Sequence, residues 1–250
     1  MRRAITAVRG IGQAALDALA PQTCVYCQQA SDQTEAICTT CFQEFRRNAD
    51  ACPRCALPDC NGSLCPTCQS FPSALDQIVA PFVYDPAIAF LLRRWKYEKQ
   101  RYCSEIAANM LLNSEFRPRP DDIVLPTPLH WYRGLRRGFN QSEDLLRALS
   151  RRLDSIITTS VDAEERRTHR PVKLRRARAT PKQSLATRDQ RRGNLAGAFR
   201  VSGDVQGRSF VLIDDVCTTG ATGESMATAL RDAGAVAVRL WCVARTPSPR

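Results

Sequence analysis

Histidine is nearly missing from this sequence: His130 and His169 are the only two among 250 residues. A chain so poor in imidazole offers no evident histidine base, because that role needs the ring placed within reach of a reacting proton. Aromatic residues make up 7% of the chain, so any surface that stacks rings has few to work with. No apolar run approaches the roughly 20 residues that cross a bilayer, which predicts no membrane span. The first twenty residues open Met1-Arg2-Arg3, and Arg9 and Asp17 interrupt the apolar stretch that a secretion signal needs. A short amphipathic helix over residues 1–21 and a cytoplasmic protein are therefore expected. Hydrophobic residues at 44% and charged residues at 24% suit a soluble chain holding one sizeable domain and a small one.

What is present begins with the run from Phe210 to Thr222, in which Phe210-Val211-Leu212-Ile213 leads into Asp214-Asp215 and then Val216-Cys217-Thr218-Thr219-Gly220-Ala221-Thr222. An apolar strand that enters a glycine turn and then a helix leaves unpaired N–H groups around the turn, where the helix dipole also favours an anion. Residues Cys217, Thr218, Thr219, Gly220, Ala221 and Thr222 are thus expected to cradle a 5′-phosphate, with the three threonines adding hydroxyl donors. Asp214 and Asp215 can accept hydrogen bonds from ribose hydroxyls, which backbone donors cannot do. No Gly-Lys-Ser/Thr follows and the G-x-G-x-x-G spacing is missing, so the run is neither a Walker loop nor a dinucleotide fingerprint. It resembles the phosphoribosyl pyrophosphate (PRPP) motif of type I phosphoribosyltransferases. Helix caps explain one Asp or Thr, but not two carboxylates and three threonines in one turn.

Twelve cysteines are unusual in a reducing compartment unless they bind metal or react, and nine of them lie between positions 24 and 68. Four C-x-x-C pairs, Cys24/Cys27, Cys38/Cys41, Cys52/Cys55 and Cys65/Cys68, are separated by ten, ten and nine residues. Two such pairs complete a Cys₄ zinc site, so residues 22–71 are expected to hold one or two structural zinc ions. Neighbouring and interleaved pairings fit the spacing equally. Cys60 stands outside the pairs, as a replacement ligand or a free thiol. Cys103 and Cys242 are expected to be buried, and Cys217 to feel nearby N–H groups that lower its pKa.

The net charge of +11 is local, because residues 130–200 carry 18 basic against 7 acidic side chains. Such a patch attracts phosphate groups, whether on a small substrate or on a nucleic acid. The body, residues 72–250, alternates strands with helices. Strands are expected near 77–84, 122–125, 155–161, 197–201, 210–216 and 236–243, and helices near 86–97, 107–112, 142–153 and 222–233. The strand at 122–125 stops at Pro126-Thr127-Pro128, where an open α/β sheet places ligands. Pro126 and Thr127, with Arg133 and Arg137 beyond them, are candidates for a pyrophosphate, since arginine forks match diphosphate oxygens. Residues 162–194 read as a flexible basic loop of the length and charge of a lid. Within or near it Arg176, Gln183, Arg188 and Arg192 are candidates for the loop's own function or for DNA.

The knuckles, Pro126-Thr127-Pro128-Leu129-His130, Arg137-Gly138-Phe139-Asn140-Gln141, Arg176 through Thr180 to Gln183, Arg192-x-Asn194 and the Asp214–Thr222 run together resemble the ComF/GntX family over residues 22–245. Cys60 and the Glu98-Lys99 that follows Lys96-Tyr97 depart from its pattern. The resemblance implies a type I phosphoribosyltransferase-like α/β domain, with a largely parallel sheet flanked by helices, behind a zinc-ribbon head. It also implies PRPP with Mg²⁺ in the pocket and a role in handling incoming single-stranded DNA during transformation or DNA use as nutrient. DNA-uptake or recombination proteins would then be partners. An active phosphoribosyltransferase with an unidentified acceptor is the alternative.

Overall fold

The computed structural model describes residues 23–31, 36–98, 100, 102–129, 138–153, 171–176 and 197–248. The expected helix over 1–21 and strand over 155–161 lie outside them, as do Arg133, Arg137, Gln183, Arg188 and Arg192. The chain divides into two compact units, Met1–Phe45 and Arg46–Arg250. The division falls between the second and third C-x-x-C pairs, so half of the cysteine-rich head belongs to the body.

In the first unit a turn at Cys24–Gln28 is followed by helix α1 (Thr39–Gln43). Phe45 packs edge-on against Tyr26 and Phe42, with ring centroids 5.5 and 5.8 Å away, and Ile37 is buried.

The second unit starts with another knuckle pair, closed by helix α2 (Pro66–Ser70), and continues as strands and helices. In chain order these are β1 (Gln77–Val79), β2 (Phe82–Val83), α3 (Pro86–Glu98), α4 (Tyr102–Leu112), β3 (Ile123–Pro126) and α5 (Gln141–Arg152). They are followed by β4 (Lys173–Arg176), β5 (Phe199–Ser202), β6 (Ser209–Cys217), α6 (Ala221–Asp232) and β7 (Ala237–Arg245). The main sheet runs β1-β7-β6-β3, all parallel, and β2 extends β7 beyond β1. The segment expected as one strand over 77–84 is interrupted at Ala80-Pro81, because proline has no N–H for the ladder.

Strands covered on both faces read as continuous apolar runs. In β6 and β7, Phe210, Leu212, Val238 and Leu240 pack with Met226, Ala227 and Leu230 of α6. The alternate residues Val211, Ile213, Trp241 and Val243 are fully buried on the opposite face, where α4 meets β7 and α5 meets β6. There Phe116 stands edge-on to Trp241 with centroids 5.3 Å apart. The buried Asp122 takes both its oxygens to Arg239 Nη2, at 2.7 and 2.8 Å, joining the approach to β3 to the middle of β7.

The basic stretch departs from a uniform lid. Residues 173–176 form β4, antiparallel to β5, and the Arg176 guanidinium lies 5.5 Å over the Phe199 ring. Lys173 and Arg175 are exposed and alternate with the half-buried Leu174 and Arg176, a strand period hidden by the density of charge.

Candidate functional site

The eight predicted ligands gather as two neighbouring pairings, Cys24, Cys27, Cys38, Cys41 and Cys52, Cys55, Cys65, Cys68, each with its ligand atoms within 4.8 Å of one another. Sulfurs bound tetrahedrally at about 2.3 Å from one ion stand about 3.8 Å apart. Cys27 and Cys38 Sγ are 3.8 Å apart and Cys55 and Cys65 Sγ 3.6 Å, so both sets fit zinc. The backbone is prepared for thiolates. Burial raises the Cys24 thiol, but N–H groups of Cys27, Cys38 and Tyr26 outweigh it and lower the group to about 6. Cys52 follows the same pattern with Cys55, Cys65 and Arg54, also to about 6. Cys60 is in neither cluster; its thiol lies 3.6 Å from the Pro58 carbonyl, and burial pushes it up.

The acidic pair lies near the carboxyl end of β6, two residues before the strand stops at Cys217. Asp214 accepts a hydrogen bond from Ser142 Oγ (3.2 Å) and from the Asp215 N–H (2.9 Å). Asp215, 9% exposed, forms an ion pair with Lys96 Nζ and accepts from the Val216 N–H (2.9 Å). The two neighbours separate in acidity. Burial, and then the Asp215 charge, push Asp214 up to about 8. Burial works against the Asp215 charge as well, yet the Lys96 ammonium beside it holds this carboxyl below its usual range.

Lys96 and Ser142 were not among the sequence candidates for ribose binding. Lys96 follows Ile88 and Leu92 at four-residue steps on the buried stripe of α3, and a cation on an apolar stripe signals a buried partner. Ser142 is expected to open its helix, but Asn140 does so instead, its Oδ1 accepting from the Ser142 N–H at 3.1 Å. That leaves the serine hydroxyl for Asp214. Asn140 Nδ2 also donates to the Thr127 carbonyl (3.1 Å), so the Gly-Phe-Asn-Gln stretch fixes the loop after β3. Thr127 sits beside the end of β6, its N–H donating to the Ile213 carbonyl (2.9 Å). The structure therefore brings Pro126 and Thr127 to the acidic pair. The Thr127 hydroxyl is buried and has no hydrogen-bond partner among the described residues.

The turn from Thr218 to Gly220 leads into α6. Gly220 has φ +80°, in the left-handed region where a side chain is strained. Thr219 Oγ1 accepts from the Ala221 N–H (3.3 Å). Cys217 is buried, and its thiol is lowered chiefly by hydrogen bonding with Cys242, then by the Arg245 charge and the Gly220 N–H. Cys103 and Cys242 are buried, as expected.

Comparison with known proteins agrees with both parts. Residues 15–69 match a double zinc ribbon domain, and residues 135–250 match a phosphoribosyl transferase domain. The DNA utilization protein YhgH of Escherichia coli strain K12 is 34% identical over 218 residues, covering 84% of this chain and 90% of that protein. Competence protein F of Haemophilus influenzae is 24% identical over 238 residues, 89% of this chain and 96% of its own length. Competence protein ComFC of Streptococcus pneumoniae is 26% identical over 212 residues, 84% and 87% of the two chains. With two Cys₄ sites, a parallel sheet and an acidic pair ahead of a glycine turn, this chain belongs to the ComF-like family of DNA-utilization and competence proteins, in which a double zinc ribbon precedes a phosphoribosyl transferase domain.

Proposed function

We propose that this protein handles incoming single-stranded DNA in the cytoplasm and that its phosphoribosyl transferase domain binds PRPP or a related ribose phosphate. The observation that carries the pocket reading is the end of β6, where Lys96 and Ser142 hold two carboxylates beside an N–H-rich turn. Asp214 and Asp215 would accept from the ribose hydroxyls, while residues 217–222 take the 5′-phosphate. Thr127 would supply a buried hydroxyl for a diphosphate oxygen, and Arg133 and Arg137 remain the candidate forks for the same group. Mg²⁺ arriving with PRPP would offset the charge of the diphosphate. The excess of basic side chains over residues 130–200, including Arg176, Arg188 and Arg192, suits a DNA backbone. The names of the relatives point to the same setting.

Calorimetry tests the pocket. The double variant Asp214→Asn, Asp215→Asn is expected to weaken PRPP by about 100-fold or more, the scale of several lost hydrogen bonds, charge-assisted at Asp215. Its zinc content stays at two ions per chain; unaltered PRPP affinity would sink the reading. For DNA, affinity should fall linearly on a log–log salt plot by counterion release, and salt-independent binding would contradict it.

Turnover is the second reading: the Thr127 hydroxyl, buried and without a hydrogen-bond partner among the described residues, would then serve a departing diphosphate. Pyrophosphate release from PRPP with Mg²⁺ and a panel of bases, with and without single-stranded DNA, separates the two. Release with any acceptor makes the protein a transferase, whereas binding without release makes it a binding module.

A further inference from the structure

Arg245 ends β7 and is 3% exposed, yet no carboxylate pairs with it among the described residues. Its guanidinium is held by backbone carbonyls instead. Nε donates to the Cys55 carbonyl at 3.1 Å. Nη1 donates to Cys217 (3.1 Å), to Thr218 and to Thr246 (3.0 Å). One side chain thus holds a zinc-ligating knuckle on one side and the phosphate turn on the other. A cleft of about 170 Å³ lies between the same two elements, lined by Cys55, Cys68, Phe71, Thr219, Gly220 and Arg245.

The contacts have a direction. In a planar trans peptide the carbonyl and the following N–H point opposite ways. Turning the Cys217 and Thr218 carbonyls towards Arg245 therefore turns the Thr218 and Thr219 N–H groups away from it, to the side where an anion would be cradled. The buried positive charge behind the turn adds attraction that water does not screen. The Cys55 carbonyl belongs to a residue whose thiol is a zinc ligand, so the place of Arg245 Nε is tied to the place of that ligand.

We propose that Arg245 is a positioning residue that couples the second zinc site to the phosphate turn. Metal on Cys52, Cys55, Cys65 and Cys68 and a phosphate ester on residues 218–222 then raise each other's affinity. This rests on the ribose-phosphate reading of the turn. Linkage makes the effect reciprocal, so ligand must protect zinc as much as zinc favours ligand.

The test uses the full chain, ribose 5-phosphate as probe, and the rate at which zinc passes to a chromogenic chelator. Ribose 5-phosphate should slow the loss of one of the two ions by about 5- to 150-fold, the usual range of such coupling. The protected ion should remain in Cys27→Ser, which loses the first site. Arg245→Lys keeps the charge but lacks the fork that reaches both elements. It should bind two zinc ions, bind ribose 5-phosphate about tenfold or more weakly, and show no protection. The coupling is overturned if wild type binds ribose 5-phosphate by calorimetry while both ions leave at unchanged rates, or if Arg245→Lys retains affinity and protection. Should Arg245→Lys fail to fold, the wild-type and Cys27→Ser rates decide alone. Absence of any ribose 5-phosphate binding removes the pocket reading itself, and the coupling with it.

Discussion

The two zinc ribbons are near-copies in local geometry and opposites in surroundings. In each, a left-handed residue follows the first knuckle, Gln28 at φ 62° and Ala56 at φ 53°. Each of these N–H groups returns to the first cysteine's carbonyl, Gln28 to Cys24 (3.0 Å) and Ala56 to Cys52 (2.9 Å). Each third cysteine precedes a five-residue helix. The first ribbon completes itself with a small aromatic cluster, and its Cys27 is exposed. The second is built into the body. Ala56 belongs to the main core, Ile78 of β1 donates its N–H to the Arg54 carbonyl (2.7 Å), and Asn48 Nδ2 joins the Ala56 and Ala80 carbonyls (2.9 and 3.1 Å). Arg54 Nη1 closes the knuckle by donating to Cys68 and Phe71 carbonyls (2.8 and 3.1 Å). One motif thus serves in one place as a small fold and in the other as part of a larger domain.

Removing each metal in turn is the strongest way to break this contrast. Cys55→Ser with Cys68→Ser should lower the thermal midpoint of the body by about 10 °C or more, because structural zinc is worth several kcal/mol to the elements it holds. Cys27→Ser with Cys41→Ser should leave that transition within about 2 °C. Equal effects in calorimetric scans would show that the two ribbons play the same part.

A smaller effect is expected at Gly220. Any side chain there is strained by the positive φ, so Gly220→Ala should cost about 1–2 kcal/mol in the body and weaken ribose 5-phosphate, with zinc loss from the first site unchanged. Denaturant midpoints and chelator rates check this, and a faster first-site loss would count against the division.

The smallest effect concerns pH. Asp214 is raised from 3.8 to about 8 on folding. Between those values the unfolded chain ionises this carboxyl while the folded chain keeps its proton, so native stability falls as pH rises through the window and the full penalty is present above it. Asp214→Asn should therefore gain in thermal midpoint over wild type at about pH 9 relative to about pH 5. A difference independent of pH would mean that Asp214 ionises as readily in the fold as outside it.

What could be read in advance was whatever is local in sequence. The Phe210–Thr222 run carries its strand, turn and helix start within thirteen residues, and its apolar stretch and glycine mark the elements directly. The cysteine spacing announced zinc but could not choose the pairing, because ten, ten and nine intervening residues let either partner reach. Lys96 and Ser142 reach the acidic pair across more than seventy residues of sequence, through the sheet order, which no local pattern encodes. Arg245 was hidden for the same reason, although an arginine closing the apolar run Leu240–Ala244 is itself a sign of a buried task. At 173–176 the density of charge concealed a strand period, and the reading of a lid extended too far.

The strand order has a consequence for synthesis on the ribosome. Strand β7 pairs with β1, β2 and β6, so segments made early, at 77–83, wait for a partner made more than 150 residues later. Until then β1 presents bare edge groups and the second ribbon lacks the arginine that anchors its carbonyl. Pairings this distant in sequence fold slowly and leave the nascent chain open to misassociation. The first ribbon has no such wait, since its four ligands and the Tyr26, Phe42 and Phe45 rings all lie within residues 24–45. A growing chain would therefore carry one finished metal site ahead of a body that closes only when its last strand emerges.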